Sequence, residues 1–285
     1  MPAILANGIT VEVEQHGDQN NPALLLVRGL GSQLIHWPKA LIDGFVRQGF
    51  YVVTFDNRDT GLSEKFAEHG LPDLDNPMTA PYSTDDMAQD AIGVLDALGV
   101  DKAHVFGISM GGMITQRLLI DHADRLLTAT IVMSSSGAYN LPPAKPEVWD
   151  LMLQEPAAHD RATVIAHTLM CDYAWFSPGY PFDEDARKAL IGAAYDRCYD
   201  PAGVARQYAA VVAGRGREAE LDGVTKPVLV IHGTADTLLP IEHGRDIAKR
   251  IKGAQMIEID GMGHDLERAV PSMIVSQVAE FIAGA

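Results

Sequence analysis

The stretch His104-Val105-Phe106-Gly107-Ile108-Ser109-Met110-Gly111-Gly112 decides how this chain is read. Its first residues form a short apolar run suited to a strand buried on both faces, and residues 110–119 begin a helical pattern. Between them Ser109 sits in the spacing G-x-S-x-G, which between a strand and a helix places a serine on a sharp, strained turn. Glycine is needed at 107 and 111 because a side chain there would collide with the neighbouring strand and helix, and Gly112 adds room for close approach.

Outward from this turn, short apolar runs alternate with longer helix-period segments, the pattern of βα units around a mostly parallel sheet. The runs are residues 24–27, 52–55, 104–107, 128–133, 228–231 and 256–259. Residues 10–15 alternate instead, which suits an N-terminal antiparallel strand. Residues 84–98 put Met87, Ala91, Val94, Leu95 and Leu98 at helical spacing, and Gly99 closes that helix. The alternation fails from Tyr139 to about Glu220, where Pro142, Pro143 and Pro146 cluster and helical patterns follow. The expectation is a core of residues 1–138 and 221–285 with a helical insertion at 139–220. That insertion holds ten of the nineteen aromatic residues, which read either as a small helical core or as a lid over something apolar.

Composition narrows the class. The 285 residues suffice for two units, or for one large α/β domain with an insertion. With 47% hydrophobic and 21% charged residues, the chain is too apolar for disorder. The net charge of −16 argues against nucleic acid and anionic membrane surfaces as partners. Cys171 and Cys198 are too few for a disulfide scaffold and are not spaced as a metal or redox pair, so a reduced, cytoplasmic compartment is expected. No apolar stretch reaches the roughly eighteen residues of a membrane span, and residues 1–10 lack a signal-peptide pattern.

Serine is a weak nucleophile, so a histidine must take its proton and a carboxylate must orient that histidine. His264 follows the last predicted strand in the glycine-rich Gly261-Met262-Gly263-His264, and Asp236 falls just past the strand at 228–231. Ser109, Asp236 and His264 thus run in the order that a serine on such a turn requires. His232 reads as a structural turn residue, and His36, His104 and His122 lack partners in the pattern. Asp260 and Asp265 read as structural, with either as the acid the lesser alternative. The developing oxyanion needs two donors: the Met110 N–H after the serine, and the Leu30 N–H in Arg28-Gly29-Leu30-Gly31 after the strand at 24–27.

These residues carry a resemblance. From the Arg28-Gly29-Leu30-Gly31 loop through His264, the chain resembles the α/β-hydrolase superfamily. Residues 55–63, Phe-Asp-Asn-Arg-Asp-Thr-Gly-Leu-Ser, are similar to the D-x-R-x-x-G-x-S segment of capped esterases. With Trp37-Pro38, the chain is most similar to the branch containing aclacinomycin methylesterase and related antibiotic esterases. The resemblance implies a mostly parallel, eight-stranded sheet flanked by helices, with a helical cap over 139–220. It implies a serine-dependent carboxylic ester hydrolase, without metal or cofactor, acting on a small hydrophobic ester or lactone, polyketide-like in character. Serine at the turn separates the chain from the dehalogenase and epoxide-hydrolase relatives, which carry aspartate there. Arg28 stands where the common pattern has histidine. Trp37, Tyr139, Trp175 and Phe176 are the candidate substrate contacts. Residues 56–63 are expected to shape a turn beside the site. Carbon–carbon bond or thioester hydrolysis with the same three residues, and a non-catalytic ligand receptor of the same fold, stay open as rivals, as does a homodimer.

Overall fold

The computed structural model describes residues 3–266 and 270–285. The central sheet is built from β3 (Val13–His16), β4 (Ala23–Val27), β5 (Tyr51–Phe55), β6 (Ala103–Ile108), β7 (Leu126–Val132), β8 (Val228–Gly233) and β9 (Gln255–Ile259). Their spatial order is β3-β5-β4-β6-β7-β8-β9, parallel throughout except for β3, which runs antiparallel to β5. All six predicted apolar runs are strands of this sheet. Its faces are covered by α1 (Lys39–Arg47), α2 (Thr84–Ala97), α3 (Met110–Asp121), α8 (Glu218–Leu221), α9 (Glu242–Arg250) and α10 (Val270–Gly284).

Successive strand residues point to opposite faces, so a sheet covered twice requires unbroken apolar runs. β4 shows this directly. Leu24 and Leu26 enter the core formed with Phe45 of α1 and Val278 of α10, whereas Leu25 and Val27 enter the core formed with Met87 of α2 and Ile114 of α3. Each fully buried leucine or phenylalanine contributes about 2 kcal/mol relative to exposure.

Among the described residues the sheet has seven strands rather than the expected eight, and residues 10–15 are not one strand. β1 (Ile4–Ala6) and β2 (Ile9–Val11) pair with each other as a separate two-stranded ribbon. Asn7 and Gly8, at φ 50° and 79°, form the tight turn between them. Ala6, Ile9 and Val11 bury against α2, and the Asn7 amide donates to Asp90 of that helix at 2.9 Å. The ribbon is thereby drawn onto the helix instead of extending the sheet. The chain turns at Glu12, whose N–H donates to Ser63 Oγ and whose carbonyl accepts from the Asp56 N–H, before β3 joins β5.

Between β7 and β8 lie α4 (Pro146–Leu153), α5 (Arg161–Trp175), α6 (Glu184–Arg197) and α7 (Pro201–Ala213), within the segment where the alternation fails. Residues 56–63 anchor these helices. Asp59, at φ 62°, accepts two bonds of 2.8 Å from Arg206 of α7 and one of 2.7 Å from the Tyr82 hydroxyl. Asp56 pairs with Arg197 of α6 at 2.7 Å and accepts from the Leu34 and Leu62 N–H groups. Arg58 pairs with Asp90 at 2.6 Å. Among the described residues no helix is long and apolar enough to cross a membrane.

Arg206 and Asp59 are each 1% exposed. Replacing only the arginine would leave a buried carboxylate without its counter-charge, so Arg206→Leu should cost about 3–5 kcal/mol. Urea or thermal denaturation measures this. A loss of less than about 1 kcal/mol would show that this ion pair does not hold α7 to the core.

Candidate active site

Parallel pairing places the carboxyl ends of β4, β6, β7, β8 and β9 along one edge of the sheet, and the loops that follow them meet there. β4 and β6 are neighbours although they are not consecutive, with Val27 in register with Gly107. Chain order reverses at this point, the position where open α/β sheets form a crevice.

The turn after β6 is as tight as the motif predicts. Ser109 sits at φ 53°, ψ −120°, a backbone conformation costing on the order of 1–3 kcal/mol for a non-glycine residue. Its N–H donates to the Val132 carbonyl at 3.0 Å, and its carbonyl accepts the Ser134 hydroxyl at 2.7 Å. A Cβ on Gly107 would lie 2.2 Å from the Gly111 carbonyl oxygen, and one on Gly111 would lie 2.1 Å from that of Val27. The serine projects from the N-terminus of α3, where the Met110 N–H belongs to the first turn and the helix dipole favours negative charge.

His264 and Asp236 reach the same point from the ends of β9 and β8. His264 Nε2 accepts the Ser109 hydroxyl at 3.0 Å. The opposite ring nitrogen, Nδ1, donates to Asp236 Oδ2 at 2.7 Å; a carboxylate only accepts, so this nitrogen carries the proton. Asp236 Oδ1 accepts the Leu238 and Leu239 N–H groups at 2.9 and 2.8 Å. Burial alone would raise its carboxyl, but electrostatic attraction to the His264 ring and the hydrogen bonds from His232 and His264 outweigh it and hold the group below the usual carboxylate range.

The loop after β4 lies across the serine. A Cβ on Gly29 would sit 3.1 Å from Ser109 Cβ and 3.6 Å from its hydroxyl oxygen, so the backbone of this loop passes directly beside the serine. The Gly31 N–H donates to Gln207 Oε1 of α7 at 2.9 Å, and the Gln207 amide donates in turn to the Arg58 carbonyl, fixing this loop. Arg28, at the position where histidine is common, stacks its guanidinium 4.7 Å over the Trp37 ring.

These groups open into a cavity of about 1210 Å³, larger than the roughly 300–1,000 Å³ of typical small-molecule sites. Met113, Trp149, Trp175, Phe176 and Tyr208 supply apolar wall, and Tyr139 stands at the rim, 73% exposed. Trp37 does not line the cavity as expected. It is 4% exposed and packs edge-on against Phe106 in the core, because the turn at Leu34–His36 directs it inward. Asp260 accepts the Thr234 hydroxyl, and Asp265 accepts the Ser177 N–H, so both carboxylates are bound away from the imidazole. Among the described residues no cluster of three or more His, Cys, Asp or Glu side chains could hold a metal ion.

Three features escaped the sequence. The segment inserted between β7 and β8 is bonded to the loops that carry Asp236 and His264: the His264 N–H donates to the Trp175 carbonyl at 2.7 Å, the Gly263 N–H to Ser177 Oγ at 2.8 Å, and the Thr237 hydroxyl to the Ala174 carbonyl at 2.8 Å. His232 is a support for the acid, with Nε2 donating to the Leu239 carbonyl at 2.7 Å and lying 3.4 Å from Asp236 Oδ2. Its place four residues before Asp236 was the available signal. Arg217, 3% exposed, also lines the cavity, and nothing in its local pattern marks it.

The sequence profile described as the alpha/beta hydrolase fold matches residues 22–266. Rhodomycin D methylesterase DnrP of Streptomyces peucetius is 32% identical, over 95% of this chain and 94% of its own. The 3-oxoadipate enol-lactonase 1 of Acinetobacter baylyi is 28% identical, over 89% of this chain and 86% of its own. The crystal structure of the enol-lactonase from Burkholderia xenovorans is similar with a TM-score of 0.76 at 26% identity, covering 99% of this chain and 100% of that one.

His36 lines the cavity and takes the Gln33 N–H on Nδ1. Burial, then the charges of Arg28 and Arg187, push its pKa from 6.5 down to about 3 against a raising hydrogen bond at Gln33. The unfolded chain binds this proton below about pH 6.5 and the folded chain does not, so the group's contribution to stability is full above that pH and falls as pH drops towards about 3. His36→Asn should therefore flatten the loss of stability between about pH 6.5 and about pH 4, read from urea midpoints across that range. An unchanged slope would assign the acid sensitivity to other groups.

Proposed function

The chain belongs to the α/β hydrolase fold family, and on that footing we propose that it is a serine-dependent carboxylic ester hydrolase acting through an acyl-enzyme. The observation that carries the reading is the unbroken line of hydrogen bonds from the Ser109 hydroxyl through His264 to Asp236, facing a cavity. His264 takes the Ser109 proton as the hydroxyl attacks the ester carbonyl. The Met110 and Leu30 N–H groups receive the oxyanion, and Asp236 holds the imidazole in its tautomer and stabilises the charged form. His264 then protonates the leaving alcohol, and water enters by the reverse route. A strained serine at the helix N-terminus supports the first role, and the Gly29 backbone against Ser109 supports the second donor.

The substrate is a small hydrophobic ester or lactone with a bulky acyl or alcohol part. The apolar cavity walls support this, as do relatives named a methylesterase and an enol-lactonase. Residues 139–220 act as the cap, since helices α4, α5 and α7 contribute Trp149, Trp175 and Tyr208 to the cavity. The same reading places the chain in a reducing cytoplasm, supported by Cys171 and Cys198 as free thiols, the first pushed up to about 11 by burial.

Ser109→Ala should lower turnover of p-nitrophenyl esters by several orders of magnitude with the fold retained, and Asp236→Asn by on the order of 10⁴. A fluorophosphonate should label Ser109, as read by peptide mapping. Undiminished turnover in Ser109→Ala would overturn this mechanism. Across esters graded by size, kcat/KM should rise with bulk, and a preference for acetyl esters would overturn the assignment of substrate size.

A further inference from the structure

The buried and half-buried arginines of this chain differ in what they meet. Arg58, Arg197 and Arg206 pair with Asp90, Asp56 and Asp59. Arg217, 3% exposed, donates Nε to Gln116 Oε1 at 3.0 Å, Nη1 to the Gly214 carbonyl at 2.8 Å and Nη2 to the Ser135 carbonyl at 2.5 Å. All three acceptors are neutral. Among the described residues no carboxylate forms an ion pair with Arg217: Asp85 and Glu220 are engaged by Arg117 at 2.6 and 3.0 Å. A guanidinium carries five N–H groups, so two remain beyond these three bonds.

A buried charge whose direct partners are all neutral, with Glu220, Asp85 and Glu218 acting on it only from beyond ion-pair distance, is costly. Burial, then the Arg117 charge, lowers Arg217 to about 10 against the opposing charges of Glu220, Asp85 and Glu218. Arg217 also lines the cavity, together with Arg215, whose guanidinium lies 4.7 Å over the Tyr139 ring at the rim. Arg215 likewise has no carboxylate partner among the described residues. His243, beside them, cannot neutralise either arginine: its Nε2 donates to the Pro142 carbonyl, its Nδ1 takes the Ser135 hydroxyl, and burial lowers its pKa. This region is near the reacting serine, because Ser134, the residue before Ser135, donates its hydroxyl to the Ser109 carbonyl.

We propose that Arg217 and Arg215 form an anion subsite within the cavity, and that the substrate is a hydrophobic ester or lactone bearing a carboxylate away from the scissile carbonyl. This deepens the ester-hydrolase reading and rests on it. Arg217 supplies the buried contact, and Arg215 supplies an exposed one at the entrance. The subsite binds the carboxylate in ground state and transition state alike, so it acts mainly on KM.

The test compares kcat and KM for p-nitrophenyl octanoate, the mono-p-nitrophenyl ester of octanedioic acid and the corresponding ω-amide. A second pair, 4-carboxyphenyl and 4-carbamoylphenyl octanoate, puts the anion on the leaving-group side. The carboxylate should be preferred over its amide in one arrangement by about tenfold or more, chiefly through KM, as charge-assisted hydrogen bonds allow. Arg217→Gln and Arg215→Gln should each shrink that preference. Should Arg217→Gln not fold, Arg215→Gln at the rim carries the same comparison. Equal use of carboxylate and amide in both arrangements, with octanoate still hydrolysed, overturns the subsite and leaves the ester-hydrolase reading standing. A preference that survives both substitutions overturns its assignment to these arginines. If no ester is hydrolysed, the ester-hydrolase reading fails, and the melting shift of the unmodified protein with octanedioate against its monoamide still decides the subsite.

Discussion

The hydrogen bond from the Ser109 N–H to the Val132 carbonyl is the constraint on which the rest depends. It holds a non-glycine residue at φ 53°, ψ −120° between β6 and α3, a conformation that would relax if its surroundings allowed. The surroundings do not, because the Ser134 hydroxyl grips the Ser109 carbonyl and the backbone of Gly111 abuts Val27 and Arg28. The hydroxyl is thereby aimed at a fixed point above the sheet edge. Every other element of the site is arranged around that point.

A second set of constraints comes from the helices inserted between β7 and β8. They act on the site through polar contacts more than through apolar burial. Gln207 receives the Gly31 N–H, and the stretch from Ala174 to Ser177 accepts bonds from Thr237, Gly263 and His264. The glycines make this possible, since a Cβ on Gly263 would lie 2.3 Å from the Phe176 carbonyl oxygen. The inserted helices therefore both enclose the cavity and hold the loop that carries the imidazole.

Much of this was legible in the sequence, for a physical reason. Strands covered on both faces must be continuously apolar, so residues 24–27, 104–107 and 228–231 announced themselves, and the chemistry expected of a serine on such a turn pointed to His264 and Asp236, which lie in one line of hydrogen bonds with Ser109. What local patterns do not record is which distant backbone a residue meets. Residues 10–15 have a strand's alternation, yet the bend at Glu12 depends on Ser63 and Asp56. Trp37 has the character of a ligand contact, but Phe106 and the turn before it take it into the core. Ser177, Gln207 and Arg217 are ordinary residues of helices and loops until the fold sets them against Gly263, Gly31 and Ser135.

The contacts from Trp175 and Ala174 to the catalytic loops are made by carbonyl oxygens, which every amino acid possesses. The indole of Trp175 and the ring of Phe176 meanwhile face the cavity. Exchanging those rings reshapes the chamber without touching the atoms that steady His264. The shape of the chamber and the placing of the imidazole thus depend on different atoms of one short piece of main chain, so the first can drift in sequence while the second stands still.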